Sequence, residues 1–238
     1  MHGLSTQLHE LEAIATLVTS IAPPADVLLC VPATLIERAV SAIAGGIGIG
    51  GQDCHAEISG SFTGDISAQM LKDAGASSVI VGHSERRLQH GETDAMVAAK
   101  AQAAWAAGLF VIVCIGETQA QREAGKALLT CRDQLANSLP AHILTQELAI
   151  AYEPLWAIGS GHIPSDEHII EMHTHIRHCL EIRLGSAGKN VRILYGGSVD
   201  CDNVGAILAL AEVNGALIGG ASLKAEDFDA VIGFFCNA

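Results

Sequence analysis

The chain has 238 residues, half of them hydrophobic, with 25 glycines, enough for one large core rich in tight turns. Thirteen basic against 26 acidic side chains leave a formal charge of −13, which argues against nucleic acid or an anionic membrane as partner. A small anionic substrate stays open, because backbone dipoles can hold phosphate whatever the global charge.

Leu4, Leu8, Leu11, Val18 and Ile21 recur at helical spacing and predict an opening helix. VLLCV (27–31) predicts a strand, and Thr34 with Glu37 reads as a capping box for the next helix. IGIGG (47–51) is a second strand and runs into Gln52 and Asp53. SVIVG (78–82) is a third; it ends in GHSERR, which sets His83 at the strand end and starts a short helical turn at Ser84. A helix is expected near 92–107, a strand at LFVIVC (109–114) ending in IGE, and a helix at 117–138. LAIAY (148–152) is a buried strand that delivers Glu153, with Pro154 fixing the backbone after it. Trp156, Gly159 and Gly161 follow in a segment fitted to a lid. Ser165, then Asp166 and Glu167, predict an N-cap and acidic first turn for a helix over 166–184. VRILY (191–195) leads into GGSV, a helix is expected at 201–211, GALIG (215–219) leads into Gly219-Gly220, and a helix closes the chain at 224–236.

The strands are continuously apolar, as parallel strands covered by helices are. Strict β-α alternation without a linker predicts a single domain over 1–238 and a (β/α) barrel, with a doubly wound sheet as rival. Seven strands are countable and the chain opens on a helix, so a closed eight-stranded barrel needs one more strand. The seven cysteines have no C-x-x-C spacing and read as reduced, buried thiols; Cys114 reads as a small core residue. No signal peptide or membrane-length apolar run is evident, and a soluble, cytoplasmic protein is expected.

Barrel chemistry gathers at the C-terminal strand ends. There, Glu153 suits a general base under a water-excluding cover. His83, at a helix N-terminus, suits a neutral hydrogen-bond donor. The backbone at Gly196-Gly197-Ser198 and at Gly219-Gly220 suits a phosphate cradle. His168, His173, His175 and His178 share one helix; a solvated face is the expected reading, and no metal is expected.

With these pieces placed, the sequence closely resembles the triose-phosphate isomerase family. The motifs are GQD (51–53), GSFTGDIS (60–67), VGHSERR (81–87), VCIGE (113–117), AYEPLWAIGSG (151–161), YGGSV (195–199) and GALIGGASL (215–223). The resemblance implies a TIM barrel and a glycolytic and gluconeogenic isomerase. It would interconvert dihydroxyacetone phosphate and glyceraldehyde 3-phosphate through an enediolate, with no cofactor and no metal. It implies Glu153 as base, neutral His83 as the group polarising the carbonyl, and Gly159, Ser198, Gly219 and Gly220 as phosphate contacts. Ser84 and Tyr195 would hold the base and lid in their alternative states, and Glu85 would lack its cationic partner, the Lys of the family's first strand. Thr63, in the GSFTG loop, would reach the partner subunit of a homodimer.

Three departures stand out. The family's first strand, with its Asn and substrate-binding Lys, is absent from the chain, and none of Lys72, Lys100, Lys126, Lys189 and Lys224 replaces it. Asp53 stands where Asn is common, and His162-Ile163-Pro164 where Lys-Thr-Ala is frequent. The expectation is an open barrel of low activity, the alternative a non-catalytic or weakly active phosphate-binding relative.

Overall fold

The computed structural model describes residues 2–43, 45–158 and 163–237, the last three without side chains. Seven strands, β1 Leu28–Val31, β2 Gly48–Gly51, β3 Ser78–Val81, β4 Phe110–Ile115, β5 Leu148–Tyr152, β6 Arg192–Tyr195 and β7 Gly215–Ala216, pair in chain order, all parallel. The helices are α1 Leu8–Ile21, α2 Ile36–Ala42, α3 Ala68–Asp73, α4 Ser84–His90, α5 Asp94–Ala106, α6 Gln119–Glu123, α7 Ala127–Ser138, α8 Asp166–Leu184, α9 Val204–Leu208 and α10 Ala225–Asn237. This order excludes a doubly wound sheet, whose strand order reverses at a switch point.

The sheet curls because its two faces carry different side chains. Val79, Val81, Val111, Val113, Ile115, Leu148, Ile150, Tyr152, Ile193 and Tyr195 belong to the large core shared with the helices. Ile80, Ile112, Cys114, Ala149 and Ala151 form a second, smaller cluster, with Leu28, Phe110, Leu194 and Leu217 against it. Period-two alternation sends these sets to opposite faces, and the smaller set fills the concave side as in a barrel interior. A third cluster joins α1 to α10 through Ile14, Val18, Phe228 and Ile232. Each such fully buried aliphatic side chain contributes roughly 1.5–3 kcal/mol.

No pairing joins β1 to β7 among the described residues. β1 is half-buried throughout, whereas β3 and β5 are buried throughout. One cavity of about 2430 Å³ runs from His83 and Glu153, past Ile80, Ile112 and Leu28, to Asp26 and Arg192 at the opposite end of the strands.

Four local expectations need correction. The Thr34–Glu37 capping box is not formed: a 3-10 turn over Ala33–Leu35 follows Pro32, and α2 starts at Ile36 with no side-chain cap. The helix expected over 117–138 is broken where Gly125 takes a left-handed φ of 68° between α6 and α7. The helix expected at 201–211 shrinks to α9, because the Asp200 carboxylate accepts the amides of Asp202 and Asn203 in a turn before it and Glu212 is left-handed after it. The last strand is two residues rather than five, although Leu217 N still donates to Tyr195 O. The sequence pattern gave no sign of α3, which Ser67 caps by accepting from Met70 N.

Candidate active site

Glu153 sits just past β5 and is 2% exposed. Its backbone N–H donates to Ile115 O, and the carbonyl of Glu117 on the neighbouring strand end accepts from Leu155 N. A Cβ on Gly116 would lie 1.7 Å from the Glu153 carbonyl oxygen, so only glycine lets the two strand ends meet. Gly196 plays the same part on the other side, where a Cβ would come within 2.9 Å of Glu153 Cγ. The carboxylate is held by three donors. Ser84 N reaches Oε2 at 2.9 Å, Ser84 Oγ reaches Oε1 at 3.2 Å, and His83 Nε2 lies 2.9 Å from Oε1.

His83 caps α4, its Nδ1 accepting from Glu85 N at 3.3 Å. An accepting Nδ1 leaves Nε2 as the protonated nitrogen, the one that faces Glu153. Burial pulls the ring's pKa down, but the hydrogen bond and charge of Glu153, with Glu85 adding, carry it above the ordinary histidine value. The sequence-based expectation of a neutral ring is therefore opposed while Glu153 rests against it.

The other expected residues surround this pair. Ser198 Oγ donates to Ala157 O at 2.8 Å, tying the β6 loop to the turn after Glu153. Gly219 and Gly220 lie on the rim after β7, exposed, with open space where their side chains would be. His83, Glu85, Glu153, Ser198, Gly219 and Gly220 all line the one cavity. Tyr195 is fully buried, and its hydroxyl has no hydrogen-bond partner among the described residues. Glu85 is exposed and forms no ion pair among them. Gly159, Gly161 and His162 lie outside the described residues. Thr63 is away from this cavity, on an exposed loop that also shows Ile58 and Phe62.

The histidines of α8 divide. His168 and His178 are exposed as expected, but His173 is 0% exposed and its pKa is pushed down to about 4 by burial. It packs against the rings of Tyr152 and Tyr195, which corrects the reading of α8 as carrying only solvated histidines. Cys114 is buried against Glu153; burial and that carboxylate push its pKa well up, so it is a core thiol and no nucleophile.

Several supporting residues were not singled out from sequence. Glu117 is fully buried and accepts from Arg122 Nε at 2.7 Å, Trp156 Nε1 at 2.9 Å and Tyr152 Oη at 3.1 Å. Arg87 binds Asp94, Ser138 and the carbonyls of Gly82 and Cys114, locking the ends of β3 and β4. Lys100 and Arg86 share Asp53 and Glu92 in a network behind the site. Among the described residues no lysine lines the cavity, and the Arg86 on its wall is committed to that network. A charged residue directly after an apolar strand was the available signal for Glu117.

A buried carboxylate in contact with an imidazole, beside two glycine-rich loops at the strand ends, can move a proton next to a bound phosphate. Residues 1–235 match the family model described as "Triosephosphate isomerase". The chain belongs to the triosephosphate isomerase family. It is 53% identical over 234 residues to triosephosphate isomerase of Rhodopseudomonas palustris, covering 97% of this chain and 92% of that one. To the enzyme of the same name from Afipia carboxidovorans it is 56% identical, with 97% and 92% covered. The crystal structure of triosephosphate isomerase from Bartonella henselae superposes with a TM-score of 0.92 at 47% identity, over 99% of this chain and 95% of that chain. The triosephosphate isomerase family assigns the chain as an isomerase and its curled parallel sheet as barrel-like.

Proposed function

We propose that this single-domain, cytoplasmic chain interconverts dihydroxyacetone phosphate and glyceraldehyde 3-phosphate by proton transfer through an enediolate. The observation that carries the reading is the contact between Glu153 and His83 at the C-terminal strand ends, facing a cavity rimmed by Ser198, Gly219 and Gly220. Glu153 is the base. Its hydrogen bonds to Ser84 describe a parked position, from which it swings toward substrate in the cavity. His83 Nε2 then donates to the carbonyl oxygen, and the developing negative charge is met by that N–H in a largely buried site. Ser198, Gly219 and Gly220, with Gly159, hold the phosphate. The unpartnered Tyr195 hydroxyl is available to the segment that covers the site. The chemistry needs only acid–base groups, so no cofactor or metal enters it.

Two finer readings belong with this one. The chain works as a homodimer in which Thr63 and the exposed apolar side chains of its loop meet the partner. Turnover by this chain is slow: among the described residues no pairing joins β1 to β7 and no lysine lines the cavity. Lacking one preorganised electrostatic stabiliser costs about 3–4 kcal/mol, or roughly 10²–10³ in rate. A non-catalytic phosphate-binding relative is the second reading, favoured by the same observation. A coupled assay with glyceraldehyde 3-phosphate decides. Turnover that disappears in Glu153→Gln supports isomerisation. Binding of 2-phosphoglycolate with no turnover overturns it in favour of the second reading.

A further inference from the structure

Trp156 follows the base by three positions, and its indole sits in a seat built from three elements. Its Nε1 donates to the buried Glu117 carboxylate at 2.9 Å, and the Arg122 guanidinium lies 5.0 Å from the ring centroid. The third contact comes from the other side of the chain segment that leaves the site. His168, in the first turn of α8, meets the indole edge-on, with ring centroids 6.5 Å apart at 89°. The turn between base and indole is stiff. Leu155 N is bonded to Glu117 O, Ala157 N to Pro154 O, and Ala157 O accepts from Ser198 Oγ. Holding the indole in its seat therefore also restrains the bonded turn from which it projects, next to the backbone of Glu153.

We propose that His168 is a positioning residue for the isomerisation: its ring, clasping Trp156, sets the placement of the turn that carries Glu153. The inference rests on Glu153 being the base. Its physical content is mechanical. Glu153 must leave the amide of Ser84 to reach substrate, and residues 154–157 are its backbone link to the indole. α8 runs for 19 residues and packs into the core through Ile169, Met172, Ile176 and Leu180. A contact from its first turn references the base to a rigid body. Glu117 and Arg122 both belong to the stretch that follows β4, so they tie the indole to one neighbour only. His168 reaches the indole from the far end of the segment. It is exposed, so removing its ring leaves no buried polar group unpaired and the fold is not put at risk.

The test compares His168→Ala, which removes the ring, with His168→Phe, which keeps an edge-to-face partner. His168→Ala is expected to lower kcat/KM about 3–10-fold, chiefly in kcat, with Tm within roughly 2 °C of the parent. His168→Phe is expected to stay within twofold of the parent. Equal loss in both variants, or no loss in either, overturns the proposal. A parent chain with no turnover defeats the isomerase reading separately. The clasp is then decided by Trp156 emission in a Trp105→Phe background. A red shift in His168→Ala that His168→Phe reverses sustains the clasp, and unchanged emission ends it.

Discussion

Glu153 and its immediate contacts carry the strongest expectations. Glu153→Gln keeps the shape and one acceptor for Ser84 but replaces the other carboxylate oxygen with an NH2 and removes the base. The expected loss in kcat is about 10²–10⁴, with Tm little changed, read in the coupled assay. Gly116→Ala tests the backbone that places it. The added Cβ would stand 1.7 Å from the Glu153 carbonyl oxygen, so the strand ends must separate. A fall in kcat/KM of about tenfold or more and a Tm lowered by several degrees are expected, measured by kinetics and thermal melting. The strand-end placement of Glu153 and His83 was legible in the sequence, since each follows an apolar strand. Their mutual contact was not, because no spacing rule relates residues seventy apart. The ordinary helix-end argument also missed the effect of Glu153 on the His83 ring, since a strand-end carboxylate outweighs burial only when it touches the ring.

At the scale of the elements, α8 offers a pH signature. His173 packs between Tyr152 and Tyr195 with Nδ1 on Glu212 O at 3.1 Å, its Nε2 without a partner among the described residues. Its folded pKa is about 4, below the unfolded value of 6.5. The unfolded chain therefore binds the extra proton between these values, and stability falls as pH drops through that window. The contribution is complete above pH 6.5 and on the order of 3 kcal/mol is lost by pH 4. Urea melts of the parent and of His173→Phe from pH 4 to 7 check this: the variant should lose that part of the slope. The pattern of α8 displayed its length and acidic start, yet four histidines on one helix did not reveal which of them faces Tyr195. That depends on how the helix is rotated against β5 and β6, which packing sets. In the same way Gly125 divides a continuous helical pattern into α6 and α7 through a backbone preference that composition alone understates.

At the scale of the whole molecule, no pairing joins β1 to β7 among the described residues, and a cavity reaches through the interior. Thr63, Ile58 (58% exposed) and Phe62 (43% exposed) lie on one protruding loop, which fits a covered surface in a dimer. Phe62→Asp should shift sedimentation from dimer to monomer and lower specific activity at least severalfold.

Alternation of apolar runs with helical periodicity was enough to define seven parallel strands, most of the helices and the layer in which functional side chains stand. These are local properties: period, capping and turn chemistry act within about ten residues. The tertiary structure decided what local pattern cannot carry. It set Glu153 against Ser84, buried His173 while leaving His168 to meet Trp156, and left no pairing between β1 and β7 among the described residues. Each of these depends on through-space distances of a few ångströms between distant parts of the chain, and only the closing of the sheet around its core sets them.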